Sequence, residues 1–338
     1  MRGLDPRIHV FSRRKTWVAG AGPAMTVGKY DDASAAGSAH PLPNAHALGY
    51  GAAMTSRNAT GVGLLAILFW SLLAVFTAAT GEVPPFQLAA MTFLVGGLVG
   101  ASTWIVRPQG VRALAQPPVV WALGVGGLFG YHALYFAALR LAPPAEAGLI
   151  NYLWPLLIVL FSALLPGERL LGRHVLGAGL GFAGVVALIA GRGLSLDGAF
   201  WPGYLCAFIA SFVWAGYSVL SRRFGEVRTD AVAGFCLATA ALSLLCHLLF
   251  EKTLWPEGAV QWAAVLALGI GPVGAAFYVW DIGMKQGDIR FLGVASYATP
   301  VLSTLLLVIG GFAAFTWSLG LACGLIVCGA AVATFRRR

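Results

Sequence analysis

Between Gly61 and Phe335 the chain is a succession of ten apolar stretches of about twenty residues, separated by short polar gaps. A bilayer core of about 30 Å is crossed by roughly 20 residues of helix, so each stretch has the length of one membrane span. The expected spans lie near 61–80, 86–106, 119–140, 145–165, 173–190, 200–221, 230–250, 260–283, 289–310 and 316–335. A membrane barrel is excluded, because its strands are about half as long and alternate apolar with polar residues. Composition agrees: 59% apolar and 10% charged residues would leave a water-soluble fold without a polar surface, since soluble domains are about 25% charged. The expected fold class is all-α, a polytopic membrane protein of ten transmembrane helices with the lipid bilayer as its partner.

The formal net charge of +9 is carried by Lys and Arg in the polar gaps, with no basic stripe, so nucleic acid is not an expected partner. These charges report topology instead. With the first helix entering from the cytoplasm, the inside gaps hold thirteen: Arg57, Arg107, Arg112, Arg169, Arg173, Arg222, Arg223, Arg228, Lys285, Arg290 and Arg336 to Arg338. The outside gaps hold three, Arg140, Arg192 and Lys252. Cytoplasmic loops carry the excess of Lys and Arg, so both termini are expected in the cytoplasm.

Residues 1–56 are rich in Gly, Ala, Ser, Pro and His, and contain no apolar run of spanning length. They are expected to be a disordered leader or a vector-derived extension outside the fold, with Met54 a sensible translation start. Gly22 to Tyr30 faintly resembles a phosphate-binding loop but fails. Gly22 and Gly28 are one residue too far apart, and Tyr30 stands where Ser or Thr must bind magnesium. Cys206, Cys236, Cys246, Cys323 and Cys328 lie in apolar runs without C-x-x-C spacing, so neither a disulfide framework nor a metal site is expected. No cofactor is called for.

An internal repeat gives the helices an order. Shifted by 145 positions, Ala122 to Leu157 lies without a gap on Ala267 to Leu302, with eight of 36 positions identical, among them Gly148/Gly293, Tyr152/Tyr297 and Pro155/Pro300. A shift of 144 puts Trp70 on Trp214, and a shift of 143 puts Gly177 and Gly181 on Gly320 and Gly324. Residues 57–190 and 191–338 thus read as two halves of five helices. Because five is odd, the second half enters the membrane from the opposite side. Inverted repeats build alternating-access transporters, whose solute site lies near the midplane between the halves.

The polar aromatics at mid-helix depth are the candidates for that site. A Tyr hydroxyl or Trp N–H in hydrocarbon has no partner, so at this depth such groups face protein interior. They are Trp70, Tyr131, His132, Tyr135, Tyr152, Trp154, Trp214, Tyr217 and Tyr297; the alternative is an aromatic packing seam. Trp104, Trp121, Trp201, Trp255, Trp262 and Trp317 lie nearer helix ends, where interfacial anchoring accounts for them. His132 could hydrogen bond a solute carboxylate, carry a coupled proton or satisfy a tyrosine. Pro155 and Pro300 are candidate hinges, each removing a backbone bond and freeing the carbonyl of Asn151 or Ser296, which makes Asn151 a further candidate. Gly177 and Gly181, with Gly320 and Gly324, are expected to be helix-packing faces. Asp281, four residues before Lys285, is read as an ion pair ahead of proton coupling, and Glu146 as a carboxylate at a helix N-terminus.

No H-E-x-x-H, G-x-S-x-G or mid-depth carboxylate pair is present, which argues against an enzyme. A channel would call for a selectivity filter or a charged ring. A phosphometabolite carrier would want Lys or Arg inside the bundle.

The two five-helix halves, the Trp in the first helix of each, and Gly148-Leu-Ile-Asn-Tyr-Leu-Trp-Pro155 resemble the drug/metabolite transporter superfamily, in its EamA-domain branch. Asn151 to Pro155 and the Tyr131-His132 pair are similar to the bacterial aromatic amino acid exporters. The resemblance covers Gly61 to Arg338. It implies a multi-pass protein of the bacterial inner membrane that exports amino acids, aromatic ones included, through a central cavity. By motif position Trp70, Tyr131, His132, Tyr135, Tyr152, Trp154, Trp214 and Tyr297 would line it. The alternatives are a broader drug/metabolite exporter or a nucleotide-sugar carrier of the same fold. Whether the protein acts as monomer or homodimer is open.

Overall fold

A computed structural model describes residues 54–190, 196–309 and 314–334. Most of the expected leader, Arg192 and the three terminal arginines lie outside them. Among the described residues ten helices are long and apolar enough to cross a membrane. They are α1 (Ser56–Ala79), α2 (Pro85–Val106), α3 (Pro118–Leu141), α4 (Pro144–Leu164), α5 (Gly172–Ala190), α6 (Gly198–Arg223), α7 (Ala231–Phe250), α8 (Gly258–Gln286), α9 (Ile289–Ile309) and α10 (Trp317–Thr334). The helix starts are written in the sequence. Pro85, Pro118 and Pro144 open their helices, where a missing N–H costs nothing. Thr55 caps α1 by accepting the Asn58 N–H at 3.3 Å.

Besides a one-residue break at Leu72 in α1, four helices depart from regular α geometry where the sequence weakens it. The Gly-Gly-Leu-Phe-Gly run makes a π turn at Gly126–Gly130 of α3. A second π turn, at Gly271–Ala275 of α8, contains Pro272, which cannot donate to the carbonyl four residues earlier. The regular helix of α4 breaks between Asn151 and Trp154, and that of α9 between Ala295 and Ala298. Both breaks lie just before a proline, Pro155 or Pro300. The Ser296 carbonyl is not free, as the sequence suggested, because the Thr299 N–H donates to it at 3.1 Å in a tightened turn.

Helices pack mainly as α5 on α10, α2 on α7, α1 on α8 and α3 on α6. In the α5–α10 pair, a Cβ on Gly177 would come within 2.6 Å of the Gly329 carbonyl oxygen, so only glycine allows this approach. Gly181 leaves room for the Tyr297 ring. The expected partner face on α10 is wrong: Leu319, Ala322, Ile326, Gly329 and Ala333 are its buried residues. Gly324 has open space where its Cβ would be, and Gly320 meets only Phe315. The buried face is itself mostly small, and the larger Leu321 and Val327 lie on the exposed side.

Ion pairs tie the loops. At one end Glu168 accepts from Arg222 and Arg290, each at 3.1 Å, and Arg222 also donates to the Met284 and Gly287 carbonyls. Asp281 and Lys285 pair at 2.8 Å, as the spacing suggested, and Thr229 adds a hydrogen bond to Asp281. At the other end buried Glu251 accepts from Arg140 at 2.9 Å and from the backbone N–H groups of Phe86 and Gln87 at 3.1 Å, with His247 Nδ1 3.1 Å away. Glu146 is also buried and accepts the Tyr204 hydroxyl.

Candidate functional site

Six helices, α1, α3, α4, α6, α8 and α9, converge on a cavity of about 170 Å³. An apolar cavity of about 150 Å³ accommodates benzene, so the space suits one small solute. Eight expected residues line it: Trp70 from α1, Tyr131, His132 and Tyr135 from α3, Asn151, Tyr152 and Trp154 from α4, and Trp214 from α6. Tyr131 and Tyr135 are one helical turn apart and stack at 5.9 Å. The α4 break before Pro155 brings Asn151 and Tyr152 to the same wall as Trp154.

The indoles form a layer. Trp70 meets Trp154, Trp214 and Trp280 with ring centroids 6.2, 5.7 and 5.0 Å apart. The first two are edge-to-face and the third is tilted; aromatic pairs of this kind stabilise beyond area burial by about 0.5–1.5 kcal/mol each, which makes the layer a firm wall. The π turns anchor one indole of the layer and the imidazole of His132. Trp70 Nε1 donates to the Pro272 carbonyl at 3.1 Å, and His132 Nδ1 lies 2.7 Å from the Leu128 carbonyl. A π turn pushes carbonyls out of the regular ladder, and here side chains meet them. Neither partner is a tyrosine, so His132 is oriented by backbone. Its ring sits edge-on to Phe93, Tyr131 and Phe277.

Two expected residues lie elsewhere. Tyr217 packs behind Trp214 at 5.4 Å and fills the notch at Gly127. Tyr297 is fully buried beside Phe182 and Gly181, and its hydroxyl accepts the Leu156 N–H at 3.1 Å. The sequence reading missed Leu73, Pro272, Val273, Phe277 and Thr299, which complete the lining, and Trp280, which closes the indole layer with its Nε1 on Ser218. The repeat carried the signal, since a shift of 145 puts His132 on Phe277, Tyr135 on Trp280 and Trp154 on Thr299. No lining residue is Lys, Arg, Asp or Glu. The cavity therefore offers aromatic faces with hydroxyl, amide and imidazole groups, a lining that admits a ring and meets a zwitterion without a fixed countercharge.

Comparison with known proteins matches residues 59–190 and again 201–335 to the EamA-like transporter family. A curated relative from Ancylobacter novellus, the aromatic amino acid exporter YddG, is 61% identical over 84% of this chain and all of its own length. The aromatic amino acid exporter YddG of Salmonella typhimurium is 28% identical over 75% of this chain and 88% of its own. A crystal structure 61% identical in sequence superposes with a TM-score of 0.81, covering 83% of this chain and 97% of that one.

Proposed function

We infer the function of this chain from the premise that it belongs to the EamA-like transporter family. It is a multi-pass membrane transporter and not an enzyme. The solute is an amino acid, aromatic ones included, exported from the cytoplasm through the cavity. The observation that carries this reading is the cavity wall, mostly aromatic and without a fixed charge. A nucleotide sugar or phosphometabolite would find no cation there to meet its phosphates. The exporter name of the Ancylobacter relative supports the same solute class.

The mechanism is alternating access between two inverted halves, 57–190 and 191–338, in the bacterial inner membrane with both termini cytoplasmic. Three observations support it. The family model matches once in each half. The π turns begin 145 residues apart, as do the prolines that follow the helix breaks. Exchanging the halves maps the main helix pairs onto one another, α1–α8 onto α6–α3, with α2–α7 and α5–α10 unchanged. In this orientation Leu73, Tyr135 and Asn151 line the outer part of the cavity, above the indole layer. The Glu168 clamp lies on the cytoplasmic side. With the Glu168 clamp tying the cytoplasmic side, we read the arrangement as outward-facing, with Pro155 and Pro300 as the bendable points.

Proteoliposomes loaded with labelled phenylalanine, threonine or a nucleotide sugar test the reading. Flux of the amino acids is expected. Flux of the nucleotide sugar alone would reverse the assignment.

A further inference from the structure

Two polar atoms of the cavity-lining residues have no partner among the described residues, Asn151 Oδ1 and Thr299 Oγ1. Asn151 is 4% and Thr299 9% exposed, and a buried polar atom left unpaired destabilises the fold. Both oxygens are closed off in this conformation, so a ligand satisfies them as the two side chains turn toward the cavity. The rest of the Asn151 amide is committed, because Nδ2 donates to the Tyr131 hydroxyl oxygen at 3.0 Å. In this orientation of the amide what remains is an oxygen, which can only accept. His132 adds a second acceptor. Its Nδ1 faces the Leu128 carbonyl at 2.7 Å, and a carbonyl can only accept, so Nδ1 carries the proton; when the ring is neutral, Nε2 is then an acceptor. The aromatic faces around them are negative at their centres and favour a cation.

Resting on the reading of the cavity as an amino acid site, we propose that it grips its solute by the ammonium group, received by Asn151 Oδ1, His132 Nε2 and Thr299 Oγ1. The carboxylate meets only neutral hydroxyl and indole donors, since no lysine or arginine lines the cavity. Ammonium recognition then decides which aromatic solutes bind. An aromatic amine without a carboxylate is a ligand, and an aromatic acid without an amine is a poor one.

The test is competition against labelled phenylalanine flux in proteoliposomes of the full chain, with 2-phenylethylamine, 3-phenylpropionate and N-acetylphenylalanine. The amine is expected to compete about tenfold or more better than either compound lacking an ammonium, the size of a lost hydrogen bond to a charged group. Asn151→Leu should raise the half-maximal concentration of phenylalanine and of the amine by about tenfold while leaving 3-phenylpropionate unchanged. Asn151→Asp, which keeps the acceptor and adds charge, should shift preference further toward the amine. The competition series on the unaltered protein stands even where a variant fails to fold. Equal competition by the acid and the amine overturns this inference alone. Absence of phenylalanine flux overturns the amino acid reading and this inference with it.

Discussion

The Tyr297 hydroxyl accepts the backbone N–H of Leu156 at 3.1 Å, so a side chain of α9 caps the helix that restarts in α4 after the break before Pro155. The first N–H groups of a helix have no partner of their own, and in the apolar interior water cannot supply one. Tyr297→Phe is expected to destabilise the protein by about 1–3 kcal/mol while leaving the half-maximal phenylalanine concentration unchanged. Thermal unfolding in detergent, alongside transport at several concentrations, checks both halves of that statement.

His132→Ala removes both the imidazole at the wall and the donor to the Leu128 carbonyl. Transport of phenylalanine is expected to fall about tenfold, the effect of a lost hydrogen bond to a charged group, with monodisperse protein still present in the membrane. Trp154→Ala should act in the same direction, and Trp154→Phe less, because a ring face remains. Full activity in both alanine variants would return these residues to a packing seam.

Glu168 holds Arg222 and Arg290 with its two oxygens, each at 3.1 Å. These groups are partly solvated, so the clamp contributes on the order of 1 kcal/mol. Glu168→Gln should shift the protein toward its cytoplasm-open form by about fivefold, the equilibrium factor for that energy. The measurement is the labelling rate of Ser221→Cys, in a cysteine-free background, by a membrane-impermeant maleimide added from the cytoplasmic side. An unchanged rate would show that the clamp does not hold that side closed.

Gly177→Val places atoms against the Gly329 backbone and should lower stability by about 1–3 kcal/mol, as overpacking does. Gly324→Val meets open space and should change it by no more than about 0.5 kcal/mol. Thermal unfolding of the two variants side by side separates the buried face of α10 from its outward one.

Glu251→Gln weakens a buried acceptor that joins Arg140, the α2 N-terminus and His247. The expected loss is about 3 kcal/mol, the lower end for breaking a buried charge pair. Arg140→Ala should cost less, since the Arg140 side chain is half exposed and water replaces it. A chemical denaturation series on both variants gives the order.

The ten spans and most of the cavity wall were legible because length and apolarity dictate a membrane helix and because buried polar aromatics need protein around them. Rotation about a helix axis was harder to read. Tyr152 lines the cavity and Tyr297, at the matching place in the repeat, does not, because the α9 side chain turns toward Phe182 and Gly181. Gly320 and Gly324 were misread for a related reason. Small residues suit a helix contact or a lipid-facing groove equally, and both faces of α10 carry them, Ala322, Gly329 and Ala333 on the buried one and Gly320 and Gly324 off it. Phe277 and Thr299 carried no polar aromatic signature and were visible only as repeat mates of His132 and Trp154. The Glu168 and Glu251 links join loops far apart in sequence, which no local pattern encodes.

The π turns have a consequence for anyone selecting mutants. His132 and Trp70 are aimed by the carbonyls of Leu128 and Pro272, and a carbonyl cannot be substituted. Gly126 has nothing near it where a side chain would be, and neither it nor Gly130 lines the cavity. Yet alanine there favours an ordinary α turn and re-aims His132. A genetic screen for altered solute preference should therefore return glycines of α3 that never touch the solute, alongside the aromatic residues that do.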